Sequence, residues 1–169
     1  MSIQRLLESI QLLIELHEKL LEAAESKTQA IVNNNLSEIT LTMSKESRIL
    51  KEIEKQEAVR ETVGHELMQE KGIKSRLELT VSELSRLVFD PEDKSRLLAA
   101  RKELVTLLGK LKEVNELNQL LISQSLSFVD YSLNLFIGGD EDEAVYKRPD
   151  TQSTAARGPQ RNGIFDARA

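Results

Sequence analysis

The feature that most constrains this chain is the near absence of helix breakers over its first 137 residues. The first proline is Pro91, and only Gly64, Gly72 and Gly109 interrupt that stretch. Throughout it the apolar residues recur at three- and four-residue steps, the period of one helix face, so the chain is read as all-α. Ile3, Leu6/Leu7, Ile10, Leu13/Ile14, His17, Leu20/Leu21, Ala24 and Ile31 define a first helix over residues 2–32. Asn33, Asn34 and Asn35 then compete for backbone hydrogen bonds and tolerate left-handed backbone, which places a turn there. Leu36, Ile39, Met43, Leu50, Ile53, Val63 and Leu67 carry a second helix to about Lys71, where Gly72 suits the position after a helix end. A short helix of one or two turns is expected over 80–88, capped by Thr80 or Ser82 ahead of Glu83 or Ser85. Asp90-Pro91-Glu92 supplies an N-cap, a proline at the first helical position and an acidic first turn, so a third long helix starts at Pro91 and runs to about Ile137. At ~1.5 Å per residue it would reach roughly 70 Å, more than a small domain needs, so its end is free to serve a partner.

The expected architecture is an antiparallel hairpin of two long helices with a third long helix packed along it, a three-helix, coiled-coil-like bundle over residues 1–137. Residues 138–169 read as a separate tail, acidic at Asp140-Glu141-Asp142-Glu143 and basic later, holding four of the seven glycines and two of the three prolines. Such a segment buries too little apolar surface to offset about 1–2 kcal/mol of backbone entropy per residue, and disorder is expected. Within it Gly163-Ile164-Phe165-Asp166 is an apolar pair in polar surroundings, read as a chance pair in a disordered segment or as a short docking motif.

Several function classes are set aside by composition. Cysteine is absent, which removes disulfides, thiolate metal sites and cysteine nucleophiles. The net charge is −5 with no long basic run, so the counterion-release term behind nucleic-acid binding has no source. No signal peptide is visible, and the cytoplasm is the expected location. There is no Gly-rich phosphate loop, no Gly-x-Ser-x-Gly, no His-Glu-x-x-His and no Glu-x-x-His pair, so no enzyme, metal or cofactor is expected. His17, on the apolar stripe, reads as a hydrogen-bonded core or boundary residue.

The third helix changes character along its length. Up to Val114 its stripe is ordinary, with Leu97, Arg101, Leu104, Leu108, Leu111 and Val114/Asn115 on one side and charges on the other. From Leu117 to Ile137 the one carboxylate is Asp130, and Leu121/Ile122, Leu126, Phe128/Val129, Leu133 and Leu135/Phe136 form an apolar arc wider than a two-helix seam requires. Three of the six aromatics, Phe128, Tyr131 and Phe136, fall there, where rings supply large contact area. Periodicity leaves two uses for this arc: packing as core or as a weak homodimer, or seating the helix of another protein. Stable membrane insertion is not expected, because Asp130, two Asn and several Ser would lie in hydrocarbon. Asn115 and Asn118 carry two readings of their own, contact with a partner or fixing of helix register.

The run Asn115-x-x-Asn118-x-x-Leu121-x-x-x-Ser125-Leu126-x-Phe128-Val129, after two long helices broken at an Asn-rich turn, resembles the FlgN-like family of flagellar export chaperones. Members are small, acidic, all-helical cytoplasmic proteins that hold hook-filament junction (hook-associated) proteins before type III export. The resemblance implies cargo contact through the last helix, here on Leu121, Ile122, Leu126, Val129, Leu133 and Phe136, and Asn115, Asn118, Ser125 and Phe128 complete the expected partner-binding set. It also implies a tyrosine that docks to the export gate, for which Tyr131 and Tyr146 are the candidates. Binding would prevent premature assembly of the cargo and deliver it for export. Beside this stands the alternative of a generic coiled-coil structural or scaffolding protein that homodimerises through the same face.

Overall fold

A computed structural model describes residues 2–74 and 79–137. Its elements are α1 (Ser2–Val32), α2 (Leu36–Glu70), α3 (Val81–Leu87) and α4 (Pro91–Phe136), and all regular structure among the described residues is helical. By contacts the chain divides into a unit ending at Val129 and a second beginning at Asp130. The tail after Ile137, with Tyr146 and the Gly163–Asp166 motif, lies outside the described residues.

Each asparagine of the Asn33–Asn35 turn has a distinct task. Asn34 takes a φ of 53°, the left-handed conformation that Asn tolerates better than most residues. Its N–H donates to Ile31 O at 3.0 Å, and Asn35 N–H donates to Ala30 O at 2.9 Å, the paired bonds that close a helix C-terminus. Asn35 is at once the N-cap of α2, its side chain accepting from Glu38 N–H at 3.2 Å and donating to Glu38 Oε2 at 3.1 Å. At the other end of α2 Gly72, with φ 75°, closes the helix through the same pair of bonds, Gly72 N–H to Gln69 O and Ile73 N–H to Met68 O, both 2.9 Å. Thr80 and Glu83 form the capping box of α3. Asp90 Oδ1 accepts from Glu92 and Asp93 N–H, each at 2.9 Å, ahead of Pro91 at the start of α4.

The short turn after α1 sends α2 back along it. Ser2 bonds Glu70 and Arg5 pairs with Glu66 at one end, and Lys27 Nζ meets Glu46 Oε2 at 2.8 Å near the other, so the two helices are antiparallel. Helix α4 instead runs parallel to α1: Gln4 Nε2 donates to Asp93 Oδ1 at 3.3 Å, and Asn118 bonds Ala24 and Thr28, an offset of 89 to 94 residues. The main core gathers Leu6, Leu7, Ile10 and Ile14 of α1, Val63, Leu67 and Met68 of α2, Leu84 and Val88, and Leu97 and Leu107. Leu20, Ala23 and Ala24 with Ile49 and Leu111 form a second, thinner cluster toward the turn. Each fully buried Leu or Ile contributes roughly 1.5–3 kcal/mol, which outweighs the modest propensities of the helices themselves. Helix α3 seats against α2 at Gly64, where a Cβ would stand 3.3 Å from Leu84 Cδ1.

Two stripes differ from expectation by one residue. On α4 Leu107 is buried and Leu108 is exposed, and Arg101 is exposed as well. On α2 Thr42 and Ile49 are buried, whereas Leu36, Met43 and Leu50 are exposed. Where two apolar residues adjoin, as in Ile49-Leu50 and Leu107-Leu108, either can head a stripe of the same period, and the partner helix decides. At Thr42 the small side chain faces inward with its hydroxyl bonded to Ile39 O at 2.8 Å.

Candidate functional site

With the phase corrected, the inner face of α4 is a strict 3-4 repeat: Leu97, Ala100, Leu104, Leu107, Leu111, Val114, Asn118 and Leu121, each buried or half-buried. Its last fully buried member is Asn118, 2% exposed, whose Nδ2 donates to Ala24 O at 2.9 Å and whose Oδ1 accepts from the Thr28 hydroxyl at 2.7 Å. Of the two readings of Asn118, contact with a partner or fixing of register, its placement favours the inward one: both ends of its amide are engaged by α1. Asn115 is half-buried beside it.

Beyond Asn118 the surroundings change because α1 comes to its end. With the offset of 89 to 94 residues, Val32 stands level with residues 121–126 of α4. Leu121 is half-buried, and after it every residue to Val129 is exposed. Ile122 is 39% exposed, Leu126 60% and Val129 49%, and Phe128 is exposed too. Ser125 turns its hydroxyl back onto Leu121 O at 2.9 Å, a bond within the helix. In the second unit, Tyr131, Leu133, Leu135 and Phe136 are exposed, Phe136 at 85%. In the first unit Ile122, Leu126 and Val129 thus lie one residue out of step with the seam, on a phase that also holds the exposed Leu98, Val105 and Leu108 and is interrupted by the polar Lys112, Asn115 and Gln119.

Sequence reasoning passed over Leu117 and Leu120, 46% and 55% exposed. Leu117 lines a shallow groove between α1 and α4 with Val114, Glu25, Ser26, Thr28 and Gln29. Their apolar character was visible, but a helix face next to a seam becomes distinguishable from the seam only when the partner is placed. Val32, Leu36, Leu41 and Met43, near the hairpin turn, are further exposed apolar residues.

This arrangement offers apolar area rather than chemistry. His17 is buried with Nδ1 2.7 Å from Leu13 O, a boundary residue bonded to its own helix. Among the described residues no group of three or more His, Asp or Glu is placed to hold a metal, and no helix is long and apolar enough to cross a membrane.

A model of the family described as FlgN protein matches residues 1–154, the whole helical region and the first part of the tail. The chain belongs to the FlgN family. FlgN proteins are flagellar export chaperones, a family of binding proteins and not of enzymes, so the apolar stripe belongs to a chain whose family holds flagellar proteins. A Bacillus subtilis (strain 168) protein of the name "Uncharacterized protein YvyG" is 27% identical over 137 residues, 81% of this chain and 82% of that one. No solved structure matches this FlgN-family chain significantly.

Proposed function

We propose that this FlgN-family chain is a cytoplasmic flagellar type III export chaperone for hook-filament junction proteins. An amphipathic helix of the cargo lies along Ile122, Leu126 and Val129, with Leu121 and Phe128 at its margins, and Leu133 and Phe136 of the second unit are proposed cargo contacts in their own right. The observation that carries this reading is the exposed apolar run Ile122, Leu126, Phe128 and Val129, which follows the level at which α1 ends and, unlike the exposed phase before it, holds no formal charge from Ile122 to Val129. An apolar face of this length is unfavourable in water and is characteristic of helix-in-groove recognition. While bound, the cargo helix is withheld from polymerisation, and it is released at the export apparatus. Tyr131, 61% exposed, and Tyr146 are the proposed contacts with the export gate.

Co-purification with hook-filament junction proteins tests the reading. Leu126→Asp with Val129→Asp removes roughly 1.5–3 kcal/mol of apolar burial at each site and sets two carboxylates against the cargo, a loss of over ~100-fold in affinity. Both positions are exposed, so helix content by circular dichroism should be unchanged. Undiminished binding by this variant would refute the proposed surface.

A further inference from the structure

We infer that Asn118 is a positioning residue that locks the axial register of α4 on α1 and so determines how much of α4 lies beyond the hairpin. The seam of α4 is otherwise uniform: Leu97, Leu104 and Leu111 precede Asn118 at seven-residue spacing, and each could occupy its neighbour's place after a slip of one heptad. Apolar contact is non-directional and would tolerate that slip. The amide would not. In the observed register its Nδ2 donates to the Ala24 carbonyl, which the Thr28 hydroxyl also approaches at 3.1 Å, and its Oδ1 accepts from that hydroxyl at 2.7 Å, while Ala24, 0% exposed, adds little bulk at the contact. One heptad away in either direction position 118 would face the neighbourhood of His17 or of Ile31. There the place of Thr28 would be taken by Leu21, which has no hydrogen-bonding side chain, or by Asn35, whose amide is committed to Glu38. A buried amide oxygen that loses its hydroxyl donor carries a desolvation penalty, so this one layer discriminates among registers that the leucines leave nearly equal. The Lys27–Glu46 pair, adjacent in sequence to Thr28, adds an ion pair between α1 and α2 at the same level of α1.

Register matters because the charge-free exposed apolar run starts at Ile122, next to the level at which α1 ends. A slip of seven residues would draw the first members of that run against the hairpin or carry seam residues out beyond it, about 10 Å of helix in either direction. This consequence for cargo rests on the function proposed above. The register lock itself does not.

The test uses the full chain, which has no cysteine of its own, with nitroxides on Gln11→Cys and Gln119→Cys, both exposed, and pulsed dipolar spectroscopy as the readout. The observed offset places these labels about 25 Å apart along the axis, and a heptad slip changes that by about 10 Å. The parent chain should give a single distance population. Asn118→Leu, which extends the leucine seam, should add a displaced population of roughly 10% or more while keeping or raising the thermal midpoint, an effect that a residue important only for stability would not produce. Thr28→Val deletes the hydroxyl at nearly constant volume and should broaden the same distribution. A single unshifted distance in Asn118→Leu overturns the inference, as does an unshifted distance in Thr28→Val should Asn118→Leu fail to fold. No cargo is present in this measurement, so a failed cargo assay would leave its outcome untouched.

Discussion

Lys27 and Glu46 face each other across the α1–α2 hairpin at 2.8 Å, with only 15% and 13% of their side chains exposed. An ion pair so far removed from water is worth little against an apolar replacement of both partners, yet losing one partner leaves the other charge uncompensated. Glu46→Ala should therefore cost about 1–3 kcal/mol, whereas Lys27→Met with Glu46→Leu should fall close to the parent. Urea unfolding of Glu46→Ala, of Lys27→Met and Glu46→Leu singly, and of their double variant reads this directly. Near-additive losses in the double variant would show that the pair does not act as a unit.

Ser9 is 3% exposed, and its Oγ is the one buried side-chain polar atom without a hydrogen-bond partner among the described residues. Removing an unsatisfied hydroxyl relieves its desolvation, and alanine is also the better helix former. Ser9→Ala should stabilise the chain by about 0.5–1.5 kcal/mol in a denaturant titration, and a loss of that size would mean the hydroxyl has a partner in solution.

Gly109 sits inside α4 on its exposed side, where a Cβ would meet nothing within 4 Å. Its φ is not in the left-handed region, so nothing in the backbone requires glycine. Gly109→Ala should raise stability by about 0.5–1 kcal/mol and move the thermal midpoint upward. An unchanged or lower midpoint would count against a straight, packed α4 at this point.

How much of this was legible beforehand varied with the kind of signal. The Asn33–Asn35 turn and the Asp90-Pro91 start were readable because capping and left-handed backbone depend on a few adjacent residues. The capping box of α3 was readable only up to a choice, which the Thr80–Glu83 bonds settle. Helix existence followed from period, but phase did not: Leu107 against Leu108 and Ile49 against Leu50 are decided by the helix across the seam. Asn118 shows the same limit for function. Its motif was visible, and its direction was not, because an inward and an outward asparagine differ only in what stands opposite.

The Thr80 backbone N–H and hydroxyl both donate to Glu83 Oε2 at 2.8 Å, and with Arg86 nearby they hold this carboxyl below its ordinary value of 4.5. A carboxyl depressed in the folded state contributes stability above its unfolded value, and that contribution fades as pH falls from about 4.5 through the lowered value. Amide exchange in α3 should accelerate through this window, relative to α1, more than in Glu83→Gln, whose cap does not titrate. Identical acid profiles for parent and variant would remove Glu83 from the account.

Cargo binding is proposed for the exposed apolar residues of α4 from Ile122 onward. Sedimentation velocity of the full chain, alone and mixed with a purified hook-filament junction protein, tests it most directly, with Leu126→Asp/Val129→Asp run beside it. A stable heterocomplex is expected for the parent and none for the variant, with both chains equally helical. A heterocomplex that persists in the variant would contradict it, and so would a parent that forms a tight homodimer through this face and takes up no cargo.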